Sequence, residues 1–250
     1  MRKLLAAAVL AVVAATGLSA CSSADDPNVL KVGTEGTYAP FSYQDNGTLT
    51  GYDVEVAQAV GEKLGKRVEF VQTPWDSIFA GLESQRFDLV ANQVTVNPER
   101  TAKYSLSQPY TTSEGVIVTK SDNTTITTLA DLAGKTTAQS ATSNWGQVAK
   151  DAGAKVEAVE GFVQAVQLLK SGRVDATVND TLAVGEYTKK TGDTGIKIAG
   201  KTGETSKQAF AARKDDAALI ADIDKALEQL RADGTLARLS EKYFGTDVSK

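Results

Sequence analysis

The sequence predicts an α/β fold of two lobes, with a ligand cleft between them and two crossings of the chain that act as a hinge. Short apolar runs of strand length alternate with amphipathic helical stretches, the pattern of largely parallel sheets covered by helices. A second observation is an internal repeat. Trp75 to Asn92 (WDSIFAGLESQRFDLVAN) lies over Phe162 to Asn179 (FVQAVQLLKSGRVDATVN) without a gap, matching Trp75/Phe162, Leu82/Leu169, Ser84/Ser171, Arg86/Arg173, Asp88/Asp175 and Asn92/Asn179. Each copy reads as helix, tight turn, strand and polar end. Convergent packing produces such units too; the other reading is two lobes of like design, each placing polar groups at the carboxyl end of a strand, where open α/β sheets take ligands. Third, the chain crosses near Thr111 to Gly115 and again near Gly203 to Gln208. That assigns residues 29–112 and 208–250 to one lobe and 113–207 to the other.

The chain opens on Arg2 and Lys3, an apolar run from Leu4 to about Ala15, and then Leu18-Ser19-Ala20-Cys21. The run is too short to span a bilayer, so residues 1–20 read as an export signal. The small residues before Cys21 resemble the lipobox of bacterial lipoproteins; an ordinary signal with an incidental cysteine is the alternative. Acylation of Cys21, for example by palmitate, would anchor the mature chain in the cell membrane on its extracytoplasmic face, with residues 21–28 as a polar tether.

Val29 to Thr34 reads as the first strand, followed by an aromatic loop, Glu35 to Tyr43, and a turn at Asn46-Gly47. Asp53 is a candidate N-cap for a helix with Val56, Ala57, Val60 and Leu64 on one face, stopping near Gly65. Arg67 to Gln72 is a strand, and Pro74 opens the helix carrying Trp75, Ile78, Phe79 and Leu82. Phe87 to Ala91 is a buried strand, and Asn92 to Arg100 (NQVTVNPER) continues it as a polar stretch closing on a first helical turn at Pro98. That stretch reads either as a loop satisfying its own backbone or as one wall of a binding site. In the second reading Gln93, Thr95 and Arg100 stand on one lobe and Asp180 on the other, a cation and an anion suited to a zwitterion.

A strand at Gly115 to Thr119, a short helix at Leu129 to Leu132, a strand at Thr136 to Gln139 and a helix from Trp145 to Ala152 open the second lobe. A strand at Val156 to Val159, the second repeat copy, a helix after Asp180 and a strand at Ile196 to Ala199 complete it. Gln208 to Ala212 reads as a separate strand. Asp215 to Ala232 is a long amphipathic helix stopped by Asp233-Gly234, and a last helix ends at Phe244-Gly245.

Without residues 1–20 the chain keeps 25 basic against 31 acidic side chains, a net charge of −6 with no basic stripe, which argues against nucleic acid. It has no histidine and one cysteine. That removes the Ser-His-Asp arrangement, most zinc sites and any disulfide, so no catalytic residue, metal or cofactor is expected.

From Val29 onward the chain resembles the substrate-binding proteins of bacterial ABC importers for polar amino acids, solute-binding protein family 3. The matching stretches are GTEGTYAPFSY, GYDVEVAQAVGEKLG, PWDSIFAGLESQRFDLV, NQVTVNPER, GFVQAVQLLKSGRVDATVND and DGTLARLSEKYFG. The resemblance implies a periplasmic-binding-protein-like fold and a monomer that hands an amino acid to a permease. It also implies that Arg100 clamps the ligand carboxylate, with Thr95 and Thr142 as further donors. Asp180 and the Gln93 backbone carbonyl would accept from the ammonium, while Tyr38 and Trp75 would sandwich the side chain. Among members it is most similar to cystine binders, and Glu35 would meet a second ammonium group. An enzyme on the same scaffold, cyclohexadienyl dehydratase-like, and an amino-acid sensor are the alternatives.

Overall fold

The structure, a computed structural model, describes residues 26–250. Residues 1–20, expected to be an export signal, Cys21 and the first part of the expected tether lie outside the described residues. Strand β1 (Val29–Thr34) leads into a small meander, β2 (Thr37–Tyr38), β3 (Ser42–Asp45) and β4 (Thr48–Thr50). Helix α1 (Tyr52–Lys63), β5 (Arg67–Gln72), α2 (Trp75–Glu83) and β6 (Leu89–Thr95) follow, and β1 pairs in parallel with both β5 and β6. Gly51 precedes α1 at φ 131°, and a Cβ there would lie 2.2 Å from the Phe41 carbonyl oxygen, so only glycine makes this bend.

Helix α3 (Pro98–Lys103) starts on Asn97, whose side chain accepts from the Arg100 N–H at 2.8 Å, with Pro98 at the first helical position. After β7 (Tyr104–Leu106) the chain crosses on β8 (Thr111–Lys120). A 3-10 turn (Leu129–Leu132), β9 (Thr136–Gln139), α4 (Asn144–Asp151), β10 (Lys155–Ala158), α5 (Phe162–Lys170), β11 (Thr177–Asp180) and α6 (Thr181–Thr191) build the second lobe. It returns on β12 (Ile196–Arg213) and ends with α7 (Ala217–Ala232) and α8 (Thr235–Phe244).

Three expectations change. The two strands read at Ile196 and Gln208 are one 18-residue strand, β12, bulged between Lys201 and Thr205. Its polar middle resembles a loop in sequence; Lys201, Thr205 and Ser206 pair with β8, while Thr202 to Glu204 bulge out between them with Gly203 at φ 83°. Because β8 and β12 run antiparallel to each other, and β12 also to β6, the main sheet is mixed rather than largely parallel. Its order is β11-β8-β12-β6-β1-β5, with β7 on β12; β9 and β10 form a separate parallel pair. Asp53 is not an N-cap but sits inside the first turn of α1, completely buried, and its carboxylate reaches across to Gln93.

The repeat holds in its turn and in the bonds that lead into each strand. Gln85 at φ 60° and Gly172 at φ 72° occupy the same step in the turn after each helix. Arg86 N–H donates to the Gly81 carbonyl, and Arg173 N–H to the Leu168 carbonyl, both at 3.0 Å. Asp88 then accepts from the Lys31 N–H within β1 at 3.0 Å and Asp175 from the Thr136 N–H at the start of β9 at 2.8 Å, each tying its strand to a neighbour. The matched residues thus share one local construction.

Apolar packing follows the same division. Leu30, Val32, Val56, Val60, Leu227 and Leu236 form a core between β1, α1, α7 and α8, and Ile78, Leu82, Phe87 and Val90 form another under α2. Val116, Val166 and Leu169, and separately Ile117, Leu132, Trp145 and Val178, fill the second lobe. Removing one such buried side chain to Ala costs about 2–5 kcal/mol, so the walls of the gap between the lobes rest on stiff supports.

Candidate functional site

The two repeat copies end at one gap. Asn92, Gln93 and Thr95 from β6, Asn179 and Asp180 from β11, Gln208 from β12, and the rings of Tyr38, Trp75, Trp145 and Phe162 line a cavity of about 700 Å3, its open mouth included. Glu35 lies at its edge. The structure therefore brings together six of the residues picked from the sequence: Glu35, Tyr38, Trp75, Gln93, Thr95 and Asp180.

Asn92 organises the first wall. Its Oδ1 accepts from the Glu35 N–H at 2.9 Å and the Thr34 hydroxyl at 3.2 Å, and its Nδ2 donates to the Glu35 carboxylate at 3.2 Å. Burial raises the Glu35 pKa, against the opposing pull of the hydrogen bonds from Asn92 and Thr37. On the facing wall Asp180 caps α6 through the Leu182 N–H at 2.8 Å and accepts from the Ser113 hydroxyl and from Gln208 Nε2 at 3.3 Å. Burial pushes its carboxyl up to about 6. Neither carboxylate has an ion-pair partner among the described residues, and both are ready to gain from an incoming cation.

Gln93 turns into the left-handed region at φ 50°. The Asp53 carboxylate accepts its backbone N–H at 2.7 Å and its side-chain Nε2 at 2.6 Å, holding that bend from behind. Asp53 is itself raised to about 7 by burial.

Arg100 and Thr142 do not share the cavity with Asp180. They line a second cavity that shares Thr95, Ser143, Asn144 and Trp145 with the first as a common wall. Arg100 is 7 % exposed as a residue; its guanidinium lies 5.2 Å from the Trp75 ring and 5.7 Å from Phe79, and it donates to the Thr95 carbonyl at 3.0 Å. Burial lowers its pKa to about 10, and no carboxylate reaches it among the described residues. Thr142 was expected to face a ligand carboxylate; instead the Asp76 carboxylate takes its N–H at 3.0 Å and its hydroxyl at 2.8 Å. The separation arises because the lobes touch there, with the Thr95 hydroxyl donating to Asn144 Oδ1 at 3.3 Å.

A further bond across the gap runs from the Tyr38 hydroxyl to Asn179 Oδ1 at 2.9 Å, so Tyr38 is anchored to the opposite lobe as well as forming a wall. Trp75 packs edge-on to Phe79 and beside Arg100, serving core and wall together. Sequence reasoning missed Asp76, Asn144 and Gln208 as site residues. Asn92 and Asn179 carried a signal, being the matched polar ends of the repeat; Gln208, one glutamine in a strand, carried none.

Residues 30–246 match the model of the bacterial extracellular solute-binding proteins, family 3. The chain belongs to that family. Members are binding proteins, which sets aside the enzyme alternative, and the family's description places them outside the cytoplasm. This solute-binding protein is 48 % identical to the L-cystine-binding protein TcyA of Bacillus subtilis, over 97 % of this chain and 98 % of the relative. It matches an ancestral arginine-binding protein bound to arginine with a TM-score of 0.82 at 40 % identity, covering 87 % of this chain and 99 % of the other. The L-cystine solute receptor of Neisseria gonorrhoeae in its unliganded open conformation matches with a TM-score of 0.60 at 47 % identity, covering 89 % and 94 %. Among the described residues of this family member, no helix is long and apolar enough to cross a membrane.

Proposed function

We propose that this protein captures cystine outside the cytoplasm and delivers it to the permease of an ABC importer, as a lipoprotein held by acylated Cys21. The observation that carries the reading is a set of charges without an ion-pair partner among the described residues: half-buried Glu35 and buried Asp180 around one cavity, and buried Arg100 behind its Thr95 wall. Burying an ion without a partner is costly, and a solute that supplies the opposite charges relieves that cost. Two carboxylates and a guanidinium call for two cationic centres and a carboxylate. Cystine and basic amino acids both qualify, and relatives named for cystine at 47–48 % identity favour cystine.

In this reading Asp180 and the Gln93 carbonyl take one ammonium and Glu35 the other, Tyr38 and Trp75 flank the chain between them, and Arg100 with Thr95 and Thr142 takes a carboxylate. The last assignment requires Thr142 to exchange Asp76 for the ligand. Structural agreement runs against sequence identity, being higher with the arginine-bound protein than with the open receptor; this supports a closed arrangement of lobes 29–112 plus 208–250 and 113–207. Closure around a ligand that needs both lobes gives a permease a shape to recognise.

A thermal-shift screen over the amino acids, cystine included, tests the ligand. Cystine should raise the melting temperature most, since a ligand binding only the folded state stabilises it; no shift with cystine and a large one with another amino acid would displace it. Mass spectrometry of the protein from membranes tests the anchor: a diacylated or triacylated cysteine at the mature amino terminus is expected, absent in Cys21→Ser.

A further inference from the structure

We propose that Gln208 is a ligand-binding residue whose side-chain carbonyl accepts from the ammonium group that Asp180 neutralises, a role that rests on the amino-acid reading above. Gln208 is 2 % exposed and lines the cavity from β12, the returning strand of the hinge. Its amide nitrogen has more acceptors in reach than its two hydrogens can serve, Ser206 Oγ at 2.8 Å, Ser113 Oγ at 3.1 Å and Asp180 Oδ2 at 3.3 Å. Its Oε1 is buried and accepts nothing.

The orientation of an amide is fixed by its neighbours, and here they leave one choice. Turning the amide over would press Oε1 against the Asp180 carboxylate, acceptor against acceptor. Asp180 therefore holds the nitrogen inward and leaves the carbonyl free for a donor. Gln93 repeats the arrangement: Asp53 takes its Nε2 at 2.6 Å, Thr111 Oγ1 lies 3.3 Å from the same nitrogen, and Oε1 is again buried without a donor. Two buried carboxylates thus each hold a glutamine by its amide nitrogen and leave its carbonyl unpaired, and both glutamines line one cavity.

Buried carbonyls are almost always paired, so two unpaired ones at a cavity mark what the cavity takes. An ammonium carries three donors. Asp180 can accept one or two, and the glutamine carbonyls supply the rest of the shell. Because Gln208 stands where the second crossing enters the site, its bond would also tie the ligand's charge to the hinge strand itself.

The test is calorimetric titration of wild type, Gln208→Met and Gln208→Asn with L-cystine, L-arginine and 3,3′-dithiodipropionate, which is cystine without its ammonium groups. Gln208→Met removes the carbonyl at nearly constant shape, and Gln208→Asn draws it back by one methylene. Each should weaken cystine by about ten- to a hundred-fold, the range for one hydrogen bond to a charged group. Binding of dithiodipropionate should differ little between wild type and variant, and the melting temperature without ligand should hold or rise. Wild-type cystine affinity in both variants, or a loss matched by a fall in the unliganded melting temperature in both, overturns the assignment while leaving the transport reading intact. A wild type that binds neither cystine nor arginine overturns both.

Discussion

Replacing Asp180 by Asn separates the role of its charge from the role of its shape. In the ligand-free chain the carboxyl is raised from 3.8 to about 6, so keeping it ionised at pH 7 works against folding by up to about 3 kcal/mol. The asparagine is the uncharged counterpart. It can still accept from the Leu182 N–H at the start of α6, and its new amino group faces Gln208, whose amide can then turn and present its unpaired carbonyl. Ligand-free stability should therefore rise, by about 2–4 °C in melting temperature for each kcal/mol realised in a chain of this size. Cystine affinity should move the other way, by about 2–5 kcal/mol, because the ammonium enters a buried site without its counter-charge. Differential scanning calorimetry without ligand and titration calorimetry with L-cystine read the two effects. A variant that binds as wild type, or one that loses stability and affinity together, would refute the reasoning.

Arg100→Ala should weaken cystine binding by about 2–5 kcal/mol, read by the same titration; unchanged affinity would leave Arg100 as packing for Trp75 and Phe79. Glu35→Gln should reduce the affinity for cystine and for arginine by a larger factor than that for a neutral amino acid such as glutamine, and equal factors would make Glu35 structural. Acidity should act in opposite senses on the free and loaded protein. Asp180 and Asp53, at about 6 and about 7, hold their protons more firmly folded than unfolded, so their contribution to unliganded stability is full only below about pH 4 and is lost as pH rises through 6 and 7. Ligand affinity should instead fall below about pH 6 as Asp180 takes up a proton, by at most about tenfold per pH unit. Melting curves with and without cystine at pH 5, 6 and 7 check both slopes.

The features legible in the sequence were those written locally. The helix-turn-strand units around Leu82 and Leu169 combine 3.6-residue spacing, a tight turn and a polar end within eighteen residues, and the structure repeats the turn and the bonds around it in both. Strand β12 was not legible, because its extension depends on a ladder with β8 rather than on its own polar residues. Asp53 lies at the start of a helix, where a cap and a buried anchor share the same sequence pattern; its partner Gln93 is 40 residues away. The arrangement of Arg100 and Thr142 depends on how the lobes meet. Asp76 takes the donors of Thr142, and nothing near either residue in the chain announces that contact.

Both crossings of the chain belong to one antiparallel ladder, with Lys207 opposite Thr112 and Gln208 opposite Thr111. Two rails bonded rung to rung can bow, but neither can slide past the other without breaking the rungs between them. Each cycle of opening and shutting should thus return the halves to the same alignment, and a crosslink between the rails would leave the bowing motion free where a sliding mechanism would seize.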